Sequence, residues 1–514
     1  MAKVVKLKLN GREIEAEEGR LVIDVAKDQG VEIPHYCYHP ALGNPGNCRM
    51  CIVEVAGAPK PMVACRLGVR EGMDVKSDSP LAKRAQTSAL ELHLVNHPLD
   101  CPVCDQSGEC GLQDYYMKIG QYSSEVREDK QHKAKRVEIG PHVMLDQERC
   151  ILCTRCTRFV DQVTHTHELG VFSRGHDEVI DLTPGMTLDN AYSGNVVDIC
   201  PVGALTDRDF RYRVRVWYLD HTDSVCPGCS RGCSISVHSN TSRPWHNDGC
   251  RVARLKPRYN PAVNGFWICD EGRYGYKSLD TDRLGKVLRQ TPTKVELAWE
   301  VAVSEVTSKL AQGLSKGGAR GLAIVASGML SNEDWAALKA LLDGPLAGAA
   351  LFYTAEPDQV GEEDALLRKR EKVPNLKGAE ALGLASGTFD GLARDLEDGR
   401  IWGLWIVERD LARVWGEARA KALIAKASSL VVFQGPNKLA LSDVAHYRLP
   451  ATAYVEETGH FTNFAGLVQR YDQALDPIGA GRPDWEIFGM VHAALTGTVV
   501  PSATPSGPAR VGAV

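Results

Sequence analysis

The chain has 514 residues, of which 44% are hydrophobic and 24% charged, and its formal net charge is −5. That is the composition of a globular protein of several domains. The mild acidity excludes a basic nucleic-acid-binding surface, and no apolar run reaches the roughly 18 residues of a membrane span. The first residues lack the apolar core of a signal peptide, so the sequence predicts a cytoplasmic protein whose membrane contact would come through partners. All 16 cysteines fall between Cys37 and Cys269. In a reducing compartment such clustering points to metal binding before disulfides, and it divides the chain into a metal-rich half and a metal-free half.

In chain order, two alternating runs, Val5 to Leu9 and Arg12 to Glu15, flank Asn10-Gly11 and predict a β-hairpin. Leu21 to Gln29 follows as a short amphipathic helix that should stop at Gly30. With the cysteine loop beyond it, this makes a small α+β domain to residue 79. Residues 81–96 predict a helix ending near His97-Pro98, and the polar stretch 121–136 a solvated connector. Cysteine-bearing regions then run over 140–217 and 218–275. Further on, the apolar runs Gly321 to Ser327, Ile401 to Val407 and Leu430 to Phe433, with a helical stretch from Asn332 to Leu342, predict a parallel sheet in an α/β domain. From about 496 the composition is that of a loose tail. No Gly-x-Gly-x-x-Gly follows a strand, so no dinucleotide site is indicated.

Four sets of soft ligands stand out by spacing. The first is Cys37-x10-Cys48-x2-Cys51-x13-Cys65, whose loop contains Gly43, Pro45 and Gly46. It ends on the Cys-x2-Cys of plant-type [2Fe–2S] proteins, with glycines that let the backbone wrap closely around sulfide. The second is His97-x3-Cys101-x2-Cys104-x5-Cys110, three thiolates and an imidazole suited to a [4Fe–4S] cluster, with His93 as a rival histidine. Imidazole in place of thiolate removes negative charge and raises the potential. The third, Cys150-x2-Cys153-x2-Cys156 with the remote Cys200-Pro201, is the bacterial ferredoxin arrangement and the most specific signal in the chain. The fourth is Cys226-x2-Cys229-x3-Cys233, for which Cys250 and Cys269 compete as the last ligand. Structural zinc is the competing chemistry for such sets, above all for the one that mixes three cysteines with a histidine.

Together with Pro34 to Pro40, Gly194 to Thr206 and the stretch Ser442 to Asn463, these motifs resemble the G subunits of bacterial NADH–quinone oxidoreductases, the 75-kDa iron–sulfur subunit family of respiratory complex I, over most of residues 1–490. The resemblance implies a multidomain α+β and α/β chain. Its parts would be a β-grasp [2Fe–2S] ferredoxin-like domain (1–79), a [4Fe–4S] segment with one histidine and three cysteines (80–120), a [4Fe–4S] ferredoxin-like domain (140–217) and a molybdopterin-oxidoreductase-type [4Fe–4S] domain (218–275). A shortened molybdopterin-oxidoreductase-like α/β domain (276–495) and a flexible tail (496–514) would complete it.

It further implies one [2Fe–2S] cluster on the first set, [4Fe–4S] clusters on the second and third, and, as in some bacterial members, another on Cys226, Cys229, Cys233 and Cys269. Cys250 is then left as a free buried thiol. The function implied is electron relay from an NADH- and FMN-binding subunit toward quinone-side iron–sulfur subunits, peripheral on the cytoplasmic side of the inner membrane, with no catalytic residue on this chain. Where family members often show Asn-x-Glu-Gly-Arg, this chain has Asn463-Phe-Ala-Gly-Leu467, and together with the short domain this predicts a remnant fold without molybdenum. Alternatives are a subunit of an NAD-linked hydrogenase or formate dehydrogenase, and a zinc-stabilised scaffold. An iron hydrogenase would need further cysteines beyond Cys269, and a formate dehydrogenase a full pterin domain.

Overall fold

The computed structural model describes residues 3–427 and 429–498. The chain forms two compact units, Met1–Leu219 and Asp220–Val514. The tail expected from 496 lies, from residue 499 onward, outside the described residues.

In the first unit, strands β1 (Val4–Leu9) and β2 (Arg12–Glu17) pair antiparallel across Asn10-Gly11. Both turn residues take positive φ, 49° and 80°, which such a two-residue turn requires. Strands β3 (Ile52–Val55), β4 (Met62–Val63) and β5 (Asp74–Lys76) complete a sheet in the order β2-β1-β5-β3-β4, with β1 and β5 parallel. Alternate residues of β1, Val5, Leu7 and Leu9, bury against Val22, Ile23, Val25 and Ala26 of helix α1 (Val22–Asp28). This is one helix grasped by a mixed sheet.

Helix α2 (Pro80–Leu94) starts where the Ser79 hydroxyl accepts from the Ala82 amide, with proline in its first turn. It ends two residues earlier than the composition suggested. The connector 121–136 is largely exposed, but it is more than a solvated spacer. Lys130 donates to the carbonyls of Leu94 and Val95 at 2.8 and 2.9 Å, placing a cation on the α2 C-terminus, where the helix dipole favours it. His132 and Lys135 tie the same strap to Glu148. Beyond it lies a three-stranded sheet, with Val143–Leu145 at its centre between Leu205–Asp207 and Val137–Glu138.

The second unit is built on a seven-stranded sheet. Leu322–Ala326, Gly403–Val407 and Leu430–Gly435 run parallel at its centre with every residue buried. Their side chains alternate between two cores. Ala323, Val325, Leu404, Ile406, Val431 and Phe433 face one, while Ile324, Trp405, Val407 and Val432 face the other. Burial on both faces is why these strands read as continuous apolar runs rather than alternating ones. No helix among the described residues is long and apolar enough to cross a membrane.

Candidate metal centres

The first set lies in the loop between α1 and β3, continued by the short turn at Cys65, and all four thiols are buried. The amides of Tyr36 and Cys37 point at the Cys48 sulfur from 3.5 and 3.4 Å. The Cys37 thiol meets those of Cys48 and Cys65, and Cys51 meets Cys65. This contact pulls the Cys37 thiol well below the ordinary thiol range and pushes those of Cys48 and Cys65 up. Gly43 and Gly46 both need positive φ, 69° and 71°, so the loop takes a path that other residues would resist. Four thiols already in contact, with amides aimed among them, fit a thiolate-bound cluster.

In the second set, Cys104 and Cys110 are buried and Cys101 is exposed. The His97 Nδ1 is buried and has no hydrogen-bond partner. Burial, reinforced by Arg149 and Lys130, lowers the imidazole to about 4, so the ring is neutral at physiological pH. A neutral imidazole with an orphaned nitrogen fits a metal ligand. His93 is engaged elsewhere. Its Nε2 lies 3.0 Å from the Cys48 carbonyl, and its ring meets Tyr36 edge-on, against the first set.

The third set surrounds a small cavity of about 20 Å³, walled by Cys150, Cys153, Cys156 and Cys200 with Leu145, Ile180, Val202 and Leu205. Leu152 and Thr154 adopt left-handed φ of 54° and 61°, which winds the closely spaced cysteines around one point. Burial pushes Cys150 up to about 12 and Cys153 and Cys200 to about 11. These thiols therefore hold their protons until a metal displaces them.

Residues 201–203 join the second set to the third. The Gly111 amide donates to the Pro201 carbonyl at 3.0 Å, and a Cβ on Gly203 would lie 2.1 Å from the Cys104 sulfur. That close approach was not legible in the sequence, although Gly203 lies within the stretch Gly194 to Thr206.

In the second unit the buried thiols of Cys226, Cys229, Cys233 and Cys269 neighbour one another. Cys250 is not drawn in. It lies in a surface turn where its amide donates to the Asn247 carbonyl, and it is half-buried, not buried as expected. A Cβ on Gly272 would meet the Cys226 sulfur at 2.8 Å. The fourth-set loop is braced from afar by groups that sequence spacing does not reveal. Ser230 donates from its amide and hydroxyl to Glu371, and Gln469 donates to the Gly232 carbonyl at 2.8 Å. The turn at Asn463 that departs from the family pattern backs the same loop, its Phe464 amide donating to Ser230.

Among the described residues no three His, Cys, Asp or Glu side chains converge on a point that would hold a single ion.

Beside the fourth set is a cavity of about 280 Å³ at the carboxyl ends of the parallel strands, where open α/β sheets place ligands. Asp334, Glu408, Glu457 and Asp484 line it, and Lys372 is the one cation among its described lining residues. Burial, reinforced by the neighbouring carboxylates, raises Asp334 to about 6 and Glu408 to about 8, and Glu457 and Asp484 well above the carboxylate range. Such walls do not fit a phosphate-bearing pterin.

Sequence models of known families match in chain order. They are the 2Fe-2S iron-sulfur cluster binding domain over 2–80, the NADH-ubiquinone oxidoreductase-G iron-sulfur binding region over 86–125, and the ferredoxin-like domain of NADH-quinone oxidoreductase subunit 3 over 140–206. The molybdopterin oxidoreductase Fe4S4 domain follows over 219–281, and molybdopterin oxidoreductase over 368–493. The fold and its thiol sets thus define an iron–sulfur protein with both [2Fe–2S]- and [4Fe–4S]-binding domains.

The NADH-quinone oxidoreductase G subunit of Rickettsia felis is 37% identical over 340 residues, 66% of this chain and 49% of that protein. The protein of the same name from Streptomyces coelicolor is 41% identical over 336 residues, 64% and 38% of the two chains. A solved chain of an NAD+-reducing [NiFe]-hydrogenase in the H2-reduced state is 29% identical. It covers 41% of this chain and 91% of its own at a TM-score of 0.38, too low to bear on the fold. Over nearly two thirds of its length the chain is similar to NADH-quinone oxidoreductase G subunits, and the model of their iron-sulfur binding region matches it. It spans about half the length of the curated relatives it matches.

Two outcomes are expected from this geometry. Gly203→Ala forces a methyl group onto the Cys104 sulfur and should remove about four iron atoms per chain, the content of one [4Fe–4S] cluster, in metal analysis of the purified variant. The raised carboxyls mean that the native second unit binds more protons than the unfolded chain. Its stability is therefore complete below the ordinary carboxylate range and is lost as pH rises through about 6 and then about 8. Thermal unfolding across that interval should show a falling midpoint, and Glu408→Gln should flatten the fall.

Proposed function

We propose that the chain is the iron–sulfur electron relay of an NADH–quinone oxidoreductase. It would receive single electrons from an NADH- and FMN-binding partner and pass them toward quinone-side iron–sulfur subunits. In this reading Cys37, Cys48, Cys51 and Cys65 hold a [2Fe–2S] cluster. His97, Cys101, Cys104 and Cys110 hold one [4Fe–4S] cluster, and Cys150, Cys153, Cys156 and Cys200 another. A third [4Fe–4S] cluster sits on Cys226, Cys229, Cys233 and Cys269. The observation that carries the reading is the packing of three ligand sets into one unit with backbone shared between them, as where Gly203 abuts Cys104.

The clusters, when bound, supply one-electron oxidation and reduction. The chain itself holds the ligands, excludes water and sets the charge around them. Ile180, Val202 and Leu205 dry the third site, and His97 lightens the charge of the second. No general acid, base or nucleophile takes part. The protein works as a peripheral subunit on the cytoplasmic side of the inner membrane, reaching the membrane only through its complex. The cavity beside the fourth set holds no molybdenum, because its carboxyl lining gives an anionic pterin no matching charge.

Iron, zinc and acid-labile sulfide should be measured on the anaerobically purified chain together with EPR of the reduced sample. About 14 iron and 14 sulfide per chain are expected, and about 10 of each would mean an empty fourth site. Zinc in place of iron would overturn the relay. His97→Cys should keep the second cluster but lower its midpoint, since a thiolate adds negative charge. A midpoint unchanged in redox titration would exclude His97 as a ligand.

A further inference from the structure

Helix α3 (Arg155–Gln162) begins directly after the Cys150–Cys153 loop and carries Cys156 in its first turn. Two of its arginines, Arg155 and Arg158, reach back to the loop of the first set. The Arg158 guanidinium donates to the carbonyls of Cys37 and Leu42, to Gly43 at 3.2 Å and to Cys153 at 3.5 Å, and its Nε donates to Thr154 at 3.2 Å. Arg155 donates to Tyr38 at 2.5 Å and to Ile199, next to Cys200, at 3.2 Å. Each guanidinium thus joins the main chain of the first set to that of the third. The Asn47 side chain adds a third tie, to the Leu152 carbonyl at 3.2 Å.

Every acceptor of the two arginines is a neutral carbonyl or hydroxyl, and no carboxylate pairs with either among the described residues. Both are half-buried, and each lies close enough to repel the other. The groups whose negative charge, once deprotonated, would act on Arg158 are the thiols of Cys153, Cys37 and Cys156, drawn from both sets. A cation partly removed from water and left without a carboxylate is costly. Two such cations three residues apart on one helix face add repulsion. If these residues only clamped the loop, asparagine, glutamine or a single arginine could serve. A pair of permanent charges that no pH in the cell removes is explained when the facing sets carry net negative charge.

We infer that Arg158, with Arg155 beside it, is a positioning residue that places fixed positive charge between the first and third thiolate sets and holds the potentials of both centres up together. The inference rests on the proposed function for the presence of the clusters. An electron added to either set makes it more negative, and a nearby guanidinium favours that state in both. The same charge weakens the repulsion between two reduced centres.

The test is an EPR-monitored redox titration of the full chain, purified anaerobically, with the [2Fe–2S] and [4Fe–4S] signals separated by temperature. Arg158→Gln keeps a hydrogen-bond donor and removes the charge, whereas Arg158→Lys keeps the charge. The glutamine variant is expected to lower both midpoints together, each reduction equilibrium moving about tenfold, or about 59 mV for one electron. The lysine variant should stay near wild type. Unchanged midpoints in Arg158→Gln at full iron and sulfide content would overturn the inference, and so would a shift confined to one centre. Should that variant fail to retain iron, Arg155→Gln carries the same expectation and the same refutation. Iron lost from both glutamine variants but kept by both lysine variants supports the charge. Iron lost from all four reduces the arginines to a structural clamp and overturns the inference. A wild-type chain without iron and sulfide defeats the proposed function itself and is told apart by metal analysis before any variant is made.

Discussion

Bringing four thiols into one small, dry volume is the constraint on which the first 219 residues are organised. Thiols buried in apolar surroundings keep their protons, and thiolates crowded together repel. The chain therefore has to hold the group in place before anything neutralises it. It does so with backbone. Left-handed residues wind the third loop, glycines bend the first, and the amides of Tyr36 and Cys37 converge on the Cys48 sulfur. The regular elements are short because their task is to anchor these loops. The mixed sheet with α1, and the small sheet around Val143–Leu145, provide the two platforms.

The second unit solves a different problem with a larger core. Its central strands are buried on both faces, and the loops at their carboxyl ends open a cavity beside the fourth thiol set. A cavity of this kind in a molybdopterin-type fold would be expected to offer cations to a phosphate. Here it offers carboxyls that burial together raises above the ordinary carboxylate range. Glu408 sits at its wall with a left-handed φ of 52°, so the backbone tolerates an unfavourable conformation to keep that side chain there.

Much of this was legible in the chain because the relevant signals are local. Asn10-Gly11 specifies its turn, the continuous apolar runs specify strands buried on both faces, and cysteine spacing specifies loops. The features that escaped are those that depend on residues distant in sequence. Gly203 reads as one more glycine until Cys104 is placed against it, and Glu371 and Gln469 carry no mark of the loop they brace. In the sequence His93 competes with His97 as a ligand from a helical turn further away. The fold separates them by giving one a carbonyl partner and leaving the other with none. Cys250, left over once the ligand sets are assigned, is expected as a buried free thiol, and only the surface turn at Asn247 shows it half-buried.

The interleaving of the first three sets bears on the order of synthesis. A nascent chain that has just released Cys110 already owns every ligand of the first two sets. The carbonyls around Cys37 still await Arg158, and the wall beside Cys104 still awaits Gly203. None of the three sites is therefore finished on the ribosome until roughly the whole first unit has emerged. A chain interrupted before Arg158 lacks at once the guanidinium that ties the Cys37 loop, the Cys200 thiol of the third set and the Gly203 wall beside Cys104.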